Sequence, residues 1–241
     1  MKTLVRTRAL LLACFILFST FWSLPTRSRY PDHPKPTRKA YVLSANTSSA
    51  RYRQTFFVLK EFGFEVLRVE PDFHGYEKED KAFSNKHGLL EALKLILKGP
   101  DPWGYIFEDD IHKNENSNDT LTQLIQAETR DGLFLFLGIC PTENTLKQHQ
   151  YTCGRCTHAI GASKVGASKL IAFSKSTKES DRLFNGNVPQ AEPYLDVVIE
   201  KWCLINGGFP IFGPYEGSSR AHHTHFGTFV QDRASFSSTI D

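Results

Sequence analysis

The sequence contains no H-E-x-x-H segment, and the single C-x-x-C at Cys153-Gly154-Arg155-Cys156 has no second copy. A zincin-type metal helix is therefore absent, and a four-cysteine zinc site would have to recruit Cys140 and Cys203 without the usual spacing. No internal repeat is visible, so the chain is not an array of one stacked unit. Only one uncharged apolar run stands out, and its 16 residues (9–24) fall slightly short of the roughly 17–25 of a spanning helix. Excess basic charge is missing once the N-terminus is set aside. Residues 1–40 hold eight Lys/Arg and one Asp of the 29 basic and 26 acidic residues, leaving 21 against 25. A net-acidic body carries no electrostatic footprint for nucleic acid.

What is present fits a folded globule: 241 residues, 40% hydrophobic and 12% aromatic, suit one domain of ordinary size with appendages. Lys2, Arg6 and Arg8 precede "ALLLACFILFSTFWSL", and Pro25, Arg27 and Arg29 follow it. Phe15, Phe18, Phe21 and Trp22 are bulky and no small-x-small cleavage site follows, so residues 9–24 read as a signal-anchor, with a cleaved signal as the alternative. The positive flank places residues 1–8 in the cytosol and the body in the lumen. Two sequons, at Asn46 and Asn118, and five cysteines agree with a secretory-pathway address. The expectation is a single-pass type II protein of the endoplasmic reticulum or Golgi membrane, secreted if the segment is cleaved.

Residues 25–39, "PTRSRYPDHPKPTRK", contain four prolines and five basic residues and read as an extended stem. The folded domain is expected over 40–241. There the periodicity alternates: "AYVLSA" (40–45) is a buried strand, "RYRQTFFVLKEFGF" (51–64) an amphipathic helix closing near Gly63, and "FEVLRVEP" (64–71) a strand. Another helix puts Leu89, Ala92, Leu93 and Ile96 on one face and stops at Gly99-Pro100, after which "WGYIF" resumes the strand pattern. "DGLFLFLGI" (131–139) is a strand, and residues 162–175 and 193–207 are helices. Repeated β-α units imply an α/β fold with a mostly parallel sheet.

The strand "WGYIF" runs straight into Glu108-Asp109-Asp110. Three adjacent carboxylates repel one another and are costly to desolvate, so they need water, a cation or basic partners. Ligands of open α/β sheets sit beyond the carboxyl ends of the strands, which is where this triplet falls. Hard oxygen ligands on a short turn suit Mn²⁺ or Mg²⁺ carrying a diphosphate. A solvated acidic turn is the plain alternative.

"YVLSANTSSARYRQTFFVLKEFGFEVLRVEP", a helix, and then "WGYIFEDDI" resemble the start of glycosyltransferase family 25, the lipooligosaccharide and procollagen galactosyltransferases. "CTHAIGASKVGASKLI", "PYLDVVIEKW" and the closing "GTFVQDRASFSSTID" are similar to later pieces of the family in the same order. The resemblance covers residues 40–241 with gaps. It implies a GT-A-like α/β/α sandwich and transfer of galactose or glucose from a UDP-sugar to a glycan or glycoprotein hydroxyl. It also implies a DXD motif, with Glu108 and Asp110 on Mn²⁺ (or Mg²⁺) and Asp109, Asn46 and Arg51 toward the donor. Where family members usually begin "N-L-D-R…R", this chain has Ser44-Ala45-Asn46-Thr47 and keeps only Arg51; the family's Ser-His pair is replaced by separated Ser84 and His87. These departures make a non-catalytic lumenal binding protein of the same fold the alternative function.

If transfer inverts configuration, a carboxylate must deprotonate the acceptor hydroxyl. The family match points to Asp196 in "YLDVVIEKW", with Glu192 and Glu200 as competitors and helix capping as its plain role. His222, His223 and His225 cluster near the C-terminus, where imidazole could supplement the carboxylates on Mn²⁺. The four cysteines outside the apolar run allow three pairings; Cys140 with Cys153 or Cys156 would pin a loop beside the sheet. Asn118 is the expected glycosylation site, because Asn46 belongs to the loop expected to approach the donor.

Overall fold

Lys39–Leu43 (β1) is buried from its second residue onward, as a strand covered on both faces must be. The structure, a computed structural model, describes residues 37–70, 78–128, 132–141, 151–175, 195–215, 226–232 and 235. These belong to one compact unit, Pro36–Asp241. Residues 9–24 lie outside the described residues, among which no helix is long and apolar enough to cross a membrane.

Helix α1 (Ala50–Phe62) starts where the Ser49 hydroxyl accepts from the Tyr52 N–H at 3.1 Å. It stops at Gly63, whose φ of 107° lets its N–H turn back to the Leu59 and Lys60 carbonyls, a conformation that costs glycine little. Strand β2 (Glu65–Val69) lies parallel to β1, as does β3 (Trp103–Glu108) on its other side, reached through helix α2 (Lys78–Lys98). After the acidic turn come β4 (Ile111–Lys113) and α3 (Leu121–Ala127), the latter opened by a capping box between Thr120 and Gln123. Then follow β5 (Phe134–Pro141), β6 (Tyr151–Thr152), β7 (Gly154–Ser163), α4 (Lys164–Lys175), α5 (Leu195–Ile205), β8 (Phe209–Pro210) and β9 (Phe229–Gln231).

The main sheet has the order β2-β1-β3-β7-β5. Strand β7 is antiparallel to β3 and to β5, so the other four strands run one way and the sheet is mostly parallel, as expected. Side chains alternate across it. Tyr105 and Phe107 join Leu59 of α1 and Leu121 and Leu124 of α3 on one face; Ile106 joins Leu93 of α2, Leu170 of α4 and Ile199 and Trp202 of α5 on the other. Helices therefore cover both faces, giving an α/β/α arrangement. Close approach is needed where α4 begins. A Cβ on Gly166 would collide with the Leu133 carbonyl, and the Gly166 N–H is held by Ser163 Oγ at 3.0 Å.

A disulfide joins Cys153 to Cys203 with Cα atoms 5.7 Å apart, tying the approach to β7 to helix α5. Cys140 is also disulfide-bonded. Of the two expected partners of Cys140, Cys153 is excluded because it bonds to Cys203 of α5, and the pairing with Cys156 stands. Two short ribbons, β4 with β9 and β6 with β8, had no visible counterpart in the periodicity, since strands of two or three residues carry too few alternations.

Candidate active site

The chain leaves β3 at Glu108, turns through Asp109 and Asp110, and enters β4, which pairs with the distant β9. The turn is therefore clamped between the carboxyl edge of the main sheet and a ribbon formed with the C-terminal region. The three carboxylates face different partners. Glu108 accepts from Gln231 Nε2 at 2.6 Å and, more weakly, from Asn85 Nδ2 at 3.5 Å. Asp109 accepts from Ser44 Oγ at 2.7 Å and meets Arg51 Nη2 at 3.1 Å. Asp110, whose side chain is only 2% exposed, meets the same Arg51 nitrogen at 3.0 Å.

One face of α1 lies over this turn, because positions three and four apart on a helix are neighbours. Arg51 holds Asp109 and Asp110; Gln54 donates to Asp232 at 2.9 Å; Thr55 Oγ1 accepts from the Ile111 N–H at 3.1 Å. The C-terminal segment closes the arrangement, since the Asp232 N–H donates to the Asp110 carbonyl at 2.7 Å. From the other side, Arg68 of β2 donates to the carbonyls of Ser44 (2.8 Å) and Ala45 (2.9 Å) and so fixes the loop between β1 and α1.

Burial pushes the Asp109 carboxyl above the usual aspartate range; Ser44 and Arg51 pull it down and the neighbouring Asp110 pushes it up. Asp232 lies below that range, because hydrogen bonds from Gln54 and Ser235 outweigh the effect of its own burial. A carboxyl perturbed by burial and by a specific charge partner at a strand end marks this turn as a candidate functional site.

The structure brings Arg51, Asp109 and Asp110 into contact and places Glu108 beside them on Gln231. Asn46 is exposed in the same loop, where its Oδ1 accepts from the Ser48 N–H at 2.8 Å in an Asx turn. Asp196 is half-buried in the first turn of α5, and its Oδ1 accepts from the Val197 N–H at 2.9 Å. Its competitor Glu200 pairs with Arg155 at 2.9 Å; Glu192, His222, His223 and His225 lie outside the described residues. Both sequon asparagines, Asn46 and Asn118, are exposed.

The implied divalent ion is not matched by a ready cradle. Among the described residues no group of three or more His, Cys, Asp and Glu side chains is arranged to hold a metal ion. Glu108 is held by Gln231 and Asp110 by Arg51. Ser44, Gln54, Gln231 and Asp232 are site residues that sequence reading did not assign. The last two stand in "FVQD", inside the closing stretch already noted for its resemblance, and Gln54 stands one turn from Arg51 on α1.

No protein-family model matches the chain, and no curated protein sequence does either. Among solved structures it is similar to a glycosyltransferase involved in the glycosylation of the major capsid of PBCV-1, at 14% identity and a TM-score of 0.46, over 81% of this chain and 92% of that one. It is also similar to the galactosyltransferase LgtC in complex with donor and acceptor sugar analogues (8% identity, TM-score 0.41, 74% of each chain). The glycosyltransferase GlyE of Streptococcus pneumoniae TIGR4 follows at 9% identity and a TM-score of 0.40, over 73% of this chain and 45% of that one. All three are glycosyltransferases.

Proposed function

We propose that the protein is a glycosyltransferase that moves a hexose, galactose or glucose, from a UDP-sugar to a hydroxyl of a glycan or glycoprotein. The observation that carries this reading is the junction of Ser44 and Arg51 with Asp109 and Asp110 at the carboxyl edge of parallel strands, where open α/β sheets take their ligands. In such a transfer the bond from the anomeric carbon to the diphosphate breaks, a bond to the acceptor oxygen forms, and the hydroxyl proton leaves to a base. Arg51 supplies positive charge for the diphosphate, since guanidinium groups pair well with phosphate oxygens. Ser44 and Gln231 hold Asp109 and Glu108 in place, and Asp196 is assigned as base on the family resemblance alone. The resemblance also implies Mn²⁺ or Mg²⁺; because the described carboxylates do not fit it, no step is routed through the ion.

The reading includes a membrane anchor at residues 9–24 and a lumenal domain in the endoplasmic reticulum or Golgi. Incubating the full chain with UDP-galactose and UDP-glucose tests the activity. UDP should be released above the buffer rate, and Asp110→Asn should lower that release by at least roughly tenfold. Absence of both UDP binding and UDP release would overturn the proposal. A sugar-nucleotide-binding protein without turnover is the second reading, favoured by the engagement of Asp109 and Asp110 with Arg51; binding with no release of UDP identifies it.

A further inference from the structure

Arg51 stands in the first turn of α1, and its Nη2 atom lies 3.1 Å from Asp109 Oδ1 and 3.0 Å from Asp110 Oδ2. The three side chains are largely withdrawn from water, at 16%, 19% and 2% exposure. A positive group bridging two adjacent carboxylates in such a setting does what a bound cation does: it offsets their repulsion and part of their desolvation. Two further oxygens of the triplet are also engaged. Ser44 Oγ takes Asp109 Oδ2, and Gln231 takes Glu108 Oε2. A magnesium-like ion requires oxygens at about 2.0–2.1 Å in near-octahedral array. To reach this turn through Asp109 or Asp110 it would have to displace the guanidinium or repel it at close range.

We propose that Arg51 is the resident cation of the acidic turn: its guanidinium bridges Asp109 and Asp110 and competes there with any divalent ion. The idea deepens the glycosyltransferase reading, on which it rests for its functional consequence, by naming the charge that an arriving diphosphate meets. The sequence alone left water, a cation and basic partners all open for the triplet, because residues 51 and 109–110 adjoin only after β1 and β3 pair.

The test measures Mn²⁺ binding to the full chain by electron paramagnetic resonance of the free ion, with no nucleotide present. Arg51→Met should bind Mn²⁺ at least roughly tenfold more tightly than the unaltered chain, the equivalent of one charge-assisted contact. Adding Asp110→Asn to that variant should abolish the gain. Should Arg51→Met lack the circular dichroism of the parent, Arg51→Lys replaces it, since an ammonium on a flexible stem keeps the charge but not its placement and should give a smaller gain of the same sign. Tight Mn²⁺ binding by the unaltered chain that Asp110→Asn removes would overturn the proposal. Equal, weak binding by parent and Arg51 variants would overturn it as well. UDP titrated in chelator is read separately: failure to bind there and with Mn²⁺ removes the donor-site reading and leaves the cation result standing.

Discussion

Glu128 is the side chain on which the amino edge of the sheet converges. Arg38 donates to both of its oxygens at 2.8 Å, and Tyr105 Oη donates at 2.6 Å. Burial, reinforced by the Glu128 charge, pushes the Tyr105 hydroxyl far above its ordinary value. A raised folded-state value means that this contribution to stability is complete below the unfolded tyrosine value of about 10 and is lost as pH rises beyond it, by up to about 1.4 kcal/mol per pH unit. Urea unfolding followed above that pH should therefore show a shallower decline for Tyr105→Phe than for the parent; parallel declines would remove Tyr105 as the cause. Glu128→Gln should cost about 3 kcal/mol in the same assay, because Arg38 is left with an uncompensated, mostly buried charge. At the other edge, Gln231→Leu withdraws the donor at 2.6 Å from Glu108. It should cost about 1–2 kcal/mol and reduce UDP release, whereas unchanged release would show that the position of Glu108 does not matter.

At the scale of elements, α1 and α4 are placed by different devices. The first is set by its ends: Ser49→Ala should cost about 1 kcal/mol by leaving the Tyr52 N–H without its cap. Helix α4 is set by contact with Leu133, the residue before β5, because only a glycine at 166 lets its backbone approach that carbonyl. Thermal unfolding should show Gly166→Ala as more damaging than Ser49→Ala, and the reverse order would mean that α4 can slide without penalty. The Gly63 stop of α1 was legible in the sequence because a C-cap acts within four residues, whereas the Ser49 cap came only with the structure. The contact of α4 was not legible either, since it depends on where β5 and β7 stand in the sheet.

For the whole molecule, the Cys153–Cys203 disulfide spans 50 positions and restrains the unfolded chain. Loop-closure entropy gives about 4 kcal/mol for a ring of that size. The double variant Cys153→Ser/Cys203→Ser should lose stability of that order in urea, and an unchanged midpoint would show that the aromatic packing of Trp202 against Phe134 and Phe209 holds α5 alone. The mostly parallel sheet was legible in the β-α alternation. The antiparallel course of β7 was not, since direction leaves no mark on the burial pattern of a strand covered on both sides.

Sequence by itself determined the local frame: buried strands from short apolar runs, a helix α1 closing near Gly63, and an acidic triplet at the end of the third strand. Those features follow from patterning and capping over a few residues. Only the tertiary structure decided which groups answer the triplet. Arg51 and Ser44 come from beyond β1, while Gln231 and Asp232 come from the opposite end of the chain. Hydrophobic patterning says which face of a strand is buried, but strand order and register choose its neighbours. The charge balance of the turn therefore appears only once the sheet is assembled.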